Sequence, residues 1–251
     1  MYRFFVDEDQ IDIPEKKVTI TGEDVNHIRN VLRMRKGEEV SVAVSGDDRE
    51  YRCSIRDLEK DTAVLDLLFI KENNVELPCE SVLYQALPKA DKMELIITKA
   101  VELGVSRVVP VATERSVVKL TADRAIKKTA RWNAISETAA KQSKRAVIPE
   151  VSDVMTIREA LDECRSFDVK IIPYELSDPG SMDETRRIIE SIKPGSRIAI
   201  FIGPEGGYTE EEIAMAESAG FTPVTLGRRI LRTETAGLVV LSWIMYNLEN
   251  L

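Results

Sequence analysis

The chain has 251 residues, 43% of them hydrophobic, and a formal net charge of −8, enough for one large or two modest domains with a core that needs no covalent staples. Cys53, Cys79 and Cys164 are too few and too widely spaced for a disulfide framework or a zinc site, and His27, the single histidine, excludes a His-cluster metal centre. No apolar run approaches the ~20 residues of a membrane helix, and the acidic start at Asp7, Glu8 and Asp9 lacks the basic and apolar regions of a signal peptide. A protein of the reducing cytoplasm, with no membrane and no metal, is therefore expected.

Residues 1–72 read as a small β-rich domain. Arg3–Val6, Lys17–Ile20, Glu39–Val44, Tyr51–Ile55 and Thr62–Leu67 are short strands, several with the period-two alternation of a half-buried sheet. Ser45-Gly46-Asp47-Asp48 marks a hairpin turn. One helix is predicted from Glu23 to Met34, with Val25, Ile28, Val31 and Leu32 on one face. The polar run Lys71–Glu76 before Pro78 reads as a linker, which starts a second domain at 76–251.

From residue 80 the rhythm changes to strands alternating with helices, the pattern of a parallel sheet. Strands are expected at 81–87, 107–111, 168–172, 197–202 and 222–226. Helices are expected after Asp91, closed by Gly104, then at 122–143, 156–165, 181–192, 209–219 and 234–249. Asp91 with Glu94, and Thr209 with Glu212, have capping-box spacing. The last helix is apolar almost all round from Leu238 to Tyr246, so it needs cover on more than one side, from its own chain or from a partner subunit. Charge is uneven along the chain. Residues 113–145 hold nine basic and three acidic residues, whereas 150–220 hold sixteen acidic and seven basic. The basic stretch fits an RNA-binding face or a solvated helix face.

Two loops leave the ends of short apolar strands, Ile202-Gly203-Pro204-Glu205-Gly206-Gly207 and Leu226-Gly227 through Ala236. In an open α/β sheet the carboxyl ends of strands are where ligands bind. The glycines are expected to turn with positive φ and to let backbone approach a ligand, although a tight turn that binds nothing has the same composition. Neither a dinucleotide fingerprint nor a phosphate loop is present.

Taken together, Gly203-Pro204-Glu205-Gly206-Gly207 and Leu226-Gly227-x-x-Ile230-Leu231-Arg232-x-Glu234-Thr235-Ala236 resemble the knotted (SPOUT) methyltransferase superfamily. Within it the chain is similar to the bacterial 16S ribosomal RNA (uracil-N3)-methyltransferases. The likeness extends over Met1–Phe5, His27–Arg33, Gln85–Lys89, Lys99–Gly104, Glu114–Ser116, Gln142 and Arg145. The resemblance implies an α/β chain, with a C-terminal trefoil-knot methyltransferase domain and an N-terminal PUA-like small β-barrel that binds RNA. It also implies a homodimer, S-adenosyl-L-methionine as cofactor, and a uridine of 16S ribosomal RNA in the small ribosomal subunit as substrate.

Residue by residue, it implies a cofactor cleft lined by Ile172, Pro173 and Tyr174, by Ile202, Gly203, Pro204, Glu205 and Gly206, and by Leu226, Gly227, Ile230, Leu231, Thr235 and Ala236. Thr235 would bond the cofactor or cap the last helix. Arg232 is the candidate cation for the imide anion that develops as N3 loses its proton, and Glu234 and Glu205 are candidate bases. Each of the three has an alternative role in a loop salt bridge. Arg3, Arg29, Arg33, Arg35 and Lys36 are candidate RNA contacts of the first domain, and Lys89, Lys92, Arg115, Gln142 and Arg145 of the second, with plain surface charge as the alternative. The competing readings are a knotted ribose 2′-O-methyltransferase and a non-catalytic RNA-binding assembly factor.

Overall fold

The computed structural model describes residues 1–72, 75–174 and 182–249. The chain divides into two compact units. The first comprises Met1–Glu76 with Ala140–Ile148, the second Leu77–Ala139 with Pro149–Leu251.

The first unit is built on β1 (Arg3–Phe5), β2 (Ile11–Asp12), β3 (Lys17–Thr21), α1 (Glu23–Asn26), β4 (Glu39–Ala43), β5 (Arg49–Leu58) and β6 (Thr62–Glu72). The strands form one curled sheet in the order β1-β4-β5-β6-β3-β2. Alternation drives it. Val18, Ile20, Val40, Val42, Tyr51, Cys53, Ile55, Ala63 and Leu65 point inward and are buried with Val25 and Ile28. Two register shifts between β5 and β6, at Arg52/Cys53 and Ile55/Asp57, bend the pair and add twist. Two expectations change here. The helix of 23–34 is a single α turn followed by a π-helical turn at His27–Val31, and Arg33 has φ 54°, so the helix cannot continue to Met34. β5 and β6 are each about twice as long as the sequence suggests, because their backbones go on pairing past the alternating core residues, through exposed Phe69 and Ile70 to Glu72. The expected linker includes residues 73 and 74, which lie outside the described residues.

The second unit contains β7 (Glu80–Ala86), α2 (Lys92–Glu102), β8 (Arg107–Ala112), α3 (Ala122–Ser143), β9 (Glu150–Val151), β10 (Met155–Thr156), α4 (Ile157–Glu163), β11 (Val169–Pro173), α5 (Met182–Ser191), β12 (Arg197–Ile202), α6 (Glu210–Ser218), β13 (Thr222–Val224) and α7 (Thr233–Glu249). Among the described residues its sheet runs β10-β8-β7-β12-β11-β13, with β9 beside β8, and every pairing is parallel. Helices cover both faces, so the central strands are apolar without alternation: Ile198 to Ile202 are all buried. Thr209 caps α6 with Glu212 in a full capping box, as its spacing predicts. Asp91 makes no such side-chain bond to α2, since its backbone is not extended and Glu94 turns instead to Arg131 at 2.8 Å. The helix expected from residue 181 is described from Met182 onward.

Candidate functional site

The three segments expected to line one cleft all leave the same edge of the sheet. β12, β11 and β13 are neighbours and parallel, so Ile202-Gly203, Pro173-Tyr174 and Thr225-Leu226 emerge at their carboxyl ends side by side. The amide of Tyr174 donates to the carbonyl of Val224 (3.1 Å), which extends the β11–β13 pairing into the loops. The chain visits β8 on one side of β7 and β12 on the other, so the loops after β7 and β12 part at a topological switch point, where open parallel sheets bind ligands.

The loop after β12 is a β-turn, in which the amide of Gly207 donates to the carbonyl of Pro204 (2.9 Å). Of its three glycines only Gly207 has a positive φ, 68°. Gly203 is there for another reason: a Cβ on it would lie 3.1 Å from the ring of buried Tyr208. The second loop turns at Gly227, φ 107°, whose amide donates to Thr225 Oγ1 at 3.2 Å. Ile230 then stands 80% exposed, a large apolar side chain held in solvent beside glycine backbone.

Polar contacts tie these loops to their neighbours. Thr233, the first residue of α7, donates its hydroxyl to the carbonyl of Gly203 (2.6 Å) and accepts from Gln85 Nε2 (2.9 Å) on β7, and both Gln85 and Thr233 are buried. Buried Glu212 accepts from the amides of Thr209 and Glu114 (both 2.9 Å) and so anchors the 113–116 turn to the start of α6. Arg115 in that turn donates to the carbonyl of Gly206 at 3.2 Å. Lys92 reaches Glu205 (2.9 Å) and Glu234 (3.1 Å) together. Burial alone would raise the Glu205 carboxyl, but the Lys92 ammonium and the amides of Glu205 and Lys89 outweigh it and hold the group below the usual range. Glu234 likewise is lowered, against burial, by its own amide, by Lys92 and by Arg232. Arg232 sits 3.9 Å from Glu234 with its side chain 82% exposed.

The structure therefore brings together Ile202 to Gly206, Arg232, Glu234 and Arg115, with Lys89 donating its amide to Glu205 (3.2 Å). Thr235 is exposed within the first turn of α7 rather than capping it, and Ala236 is buried against the core side of that helix. Gln85 and Thr233, which hold the loop geometry, lie in motifs the sequence makes visible, but no single-residue signal separates them from core-facing polar residues. Among the described residues no group of His, Cys, Asp and Glu could hold a metal ion, and no helix is long and apolar enough to cross a membrane.

In the first unit Arg29, Arg33, Arg35 and Lys36 are exposed around the 27–36 turn. Gln142, near the end of α3, is exposed too. Two candidate RNA contacts are corrected. Arg3 is 4% exposed and bonds Glu50, Ser41 Oγ (3.2 Å) and the carbonyl of Arg145 (2.8 Å). Arg145 is equally buried and chelates Glu76 through Nε at 2.7 and 2.9 Å. Guanidinium groups enclosed by their own carboxylates have no face left for a phosphate.

Comparison with known proteins agrees with this architecture. The family model described as an RNA methyltransferase domain matches residues 75–245, and that of an RNA methyltransferase PUA domain matches residues 20–68. Ribosomal RNA small subunit methyltransferase E of Bacillus subtilis is 40% identical, over 100% of this chain and 98% of that protein. The protein of the same name from Synechocystis is 34% identical, over 99% and 78%. Among solved structures, the small subunit methyltransferase E of Neisseria gonorrhoeae, bound to S-adenosyl methionine, superposes with a TM-score of 0.81 at 35% identity, covering 96% of both chains. A methyltransferase of Legionella pneumophila in complex with the same cofactor gives 0.84 at 30% identity, covering 98% and 97%.

Proposed function

The chain belongs to the RNA methyltransferase family that includes the small-subunit ribosomal RNA methyltransferase E proteins, and on that basis we propose that it methylates N3 of a uridine in 16S ribosomal RNA, in the assembled small subunit. The observation that carries this reading is the single sheet edge where two glycine turns, exposed Ile230 and the Lys92–Glu205–Glu234–Arg232 cluster meet. S-adenosyl-L-methionine, the cofactor of the bound relatives, supplies an electrophilic methyl group when bound. The residues present suit it: glycine backbone that lets an adenine approach, and an apolar side chain in solvent waiting for a flat partner.

This chain's residues would act on the base. Uracil N3 carries a proton at neutral pH and lies on the pairing edge, so the uridine must be unpaired or extruded. Arg232, exposed and only loosely paired, is the group free to swing onto an imide oxygen and stabilise the anion as N3 loses its proton. A positioned donor of this kind is worth about 3 kcal/mol in a water-poor site. Glu205 and Glu234, both held ionised, are the candidate carboxylates to accept that proton. Exposed Lys89, Arg115, Arg29, Arg33, Arg35, Lys36 and Gln142 are the remaining candidate RNA contacts. Such contacts position a substrate rather than read it.

We infer a homodimer from α7. Val240, Leu241, Ile244 and Leu248 face its own core, yet Leu238, Val239, Trp243 and Met245 stay half-exposed and Tyr246 is 74% exposed. A second copy is the natural cover for that face, and sedimentation at micromolar concentration tests it. Ribosomal RNA as substrate also places the protein in the cytoplasm. The function is tested with isotopically labelled cofactor and small subunits from cells lacking the modification, the nucleosides being identified by mass spectrometry. Labelled 3-methyluridine is expected. A label that resists alkaline cleavage as a ribose 2′-O-methyl, or cofactor binding with no transfer, would overturn the N3 assignment. No cofactor binding would leave an RNA-binding assembly factor.

A further inference from the structure

Lys92 is the first residue of α2, and its ammonium lies between two carboxylates from different parts of the chain. Glu205 belongs to the turn after β12 and Glu234 to the first turn of α7. Both are within 3.1 Å of Lys92 Nζ. The backbone of the same segment takes part, since the Lys89 amide donates to the oxygen of Glu205 that also receives Lys92. The charged groups facing this ammonium are Glu205 from the glycine turn, and Glu234 with Arg232 from the start of α7. On its own segment Glu94 turns away to Arg131, and Arg115 meets the turn at the Gly206 carbonyl rather than at either carboxylate. Glu234 Oε2 is enclosed and, among the described residues, has no polar partner besides the Lys92 ammonium. That oxygen therefore depends on Lys92 for its compensation.

From this geometry we infer that Lys92 is a positioning residue of the methyl-transfer site, clamping the 203–207 turn to the start of α7 and keeping Glu205 and Glu234 together as a charged pair beside Arg232. The inference deepens the proposed function and rests on it for the word methyl-transfer, but the clamp itself does not. Two carboxylates that share one cation would, without it, repel each other and compete for a proton, as paired carboxylates do. The lysine thus does two things that a surface lysine would not. It fixes the distance between the two loops, and it leaves Arg232 unclaimed by Glu205 and only loosely held by Glu234.

The first test needs neither cofactor nor RNA. Protein labelled with 13C at the glutamate carboxyls is titrated by NMR as wild type, Lys92→Met and Lys92→Arg, the Glu205 and Glu234 signals being assigned with Glu205→Gln and Glu234→Gln. In Lys92→Met the midpoint of at least one of the two carboxyls should rise by roughly 1 to 3 pH units, and Lys92→Arg should restore it. Unchanged midpoints in a folded Lys92→Met protein would overturn the clamp. Lys92→Gln serves if the methionine variant does not fold. With small subunits and labelled cofactor, the acid limb of kcat against pH should move upward in Lys92→Met and return in Lys92→Arg. A uniform drop in rate at every pH, with no shift of the limb, would contradict the inference. Absence of 3-methyluridine from the wild type itself would instead count against the proposed function and leave the NMR result standing.

Discussion

Two groups of arginines, one in each unit, are held in opposite ways. In the first, Arg3 and Arg145 are buried and enclosed by Glu50, Glu76 and backbone carbonyls. In the second, Arg228, Arg229 and Arg232 stand on the exposed loop before α7, and the ion pair of Arg232 with Glu234 is stretched to 3.9 Å. A buried, paired guanidinium fixes structure, and removing its partner leaves an uncompensated charge in the interior. An exposed, loosely held one does little for stability and is available to a ligand. From sequence alone the two kinds look the same.

The largest effect that sharpens this contrast is at Arg3. Arg3→Ala should cost about 3 kcal/mol of unfolding free energy, because it breaks a buried ion pair whose carboxylate, Glu50, keeps only the partial compensation of Arg52 and Lys71, and chemical denaturation measures it. Glu50 also gives the first unit a pH signature. Burial would raise its carboxyl, but Arg3, Lys71 and Arg52 hold it below its ordinary value of 4.5. A depressed carboxyl contributes stability that is full above 4.5 and lost as pH falls through the folded value. Stability of the wild type should therefore fall below pH 4.5, whereas in Glu50→Gln the fall should be smaller, as denaturation at stepped pH would show.

A smaller effect is expected at the loop tether. Thr233→Val removes the bond to the Gly203 carbonyl and leaves Gln85 Nε2 short of an acceptor, at a cost of about 1 to 3 kcal/mol. Because Gly203 lies in the candidate cofactor turn, the same variant should weaken cofactor binding, which calorimetry measures. Thr209→Ala should cost about 1 kcal/mol as a lost helix cap, visible as a lower thermal midpoint with cofactor affinity nearly unchanged. If Thr209→Ala harmed cofactor binding as much as Thr233→Val, the distinction between holding the turn and merely starting α6 would fail.

Much of the second unit was legible because its signals are local. β12 and α3 have the expected bounds, and the Thr209–Glu212 box forms as its spacing requires. The loops could be placed at strand ends because a parallel sheet puts all such ends on one edge. What was not legible depends on partners far along the chain. The fate of Arg3 is decided by Glu50, on a strand across the sheet, and by the 144–145 backbone 141 residues away. That of Lys92 is decided by Glu205, 113 residues away. Residues 140–148 pack with the first unit although α3 begins in the second, and no composition shift marks the change. The turn at His27–Val31 was missed because its apolar spacing also fits an α-helix, and only the positive φ of Arg33 ends it. Positive φ was expected at three glycines of one loop and occurs at one, since a close-packed ring can demand glycine as firmly as a backbone angle does.

The contrast between the two kinds of arginine is tested most directly by Arg232→Ala, with thermal stability, cofactor affinity and methyl transfer measured on the same preparation. Methyl transfer to the small subunit should fall by about 100-fold or more, with the melting temperature and cofactor Kd close to wild type. Full activity, or a loss of activity matched by a loss of stability, would contradict the account.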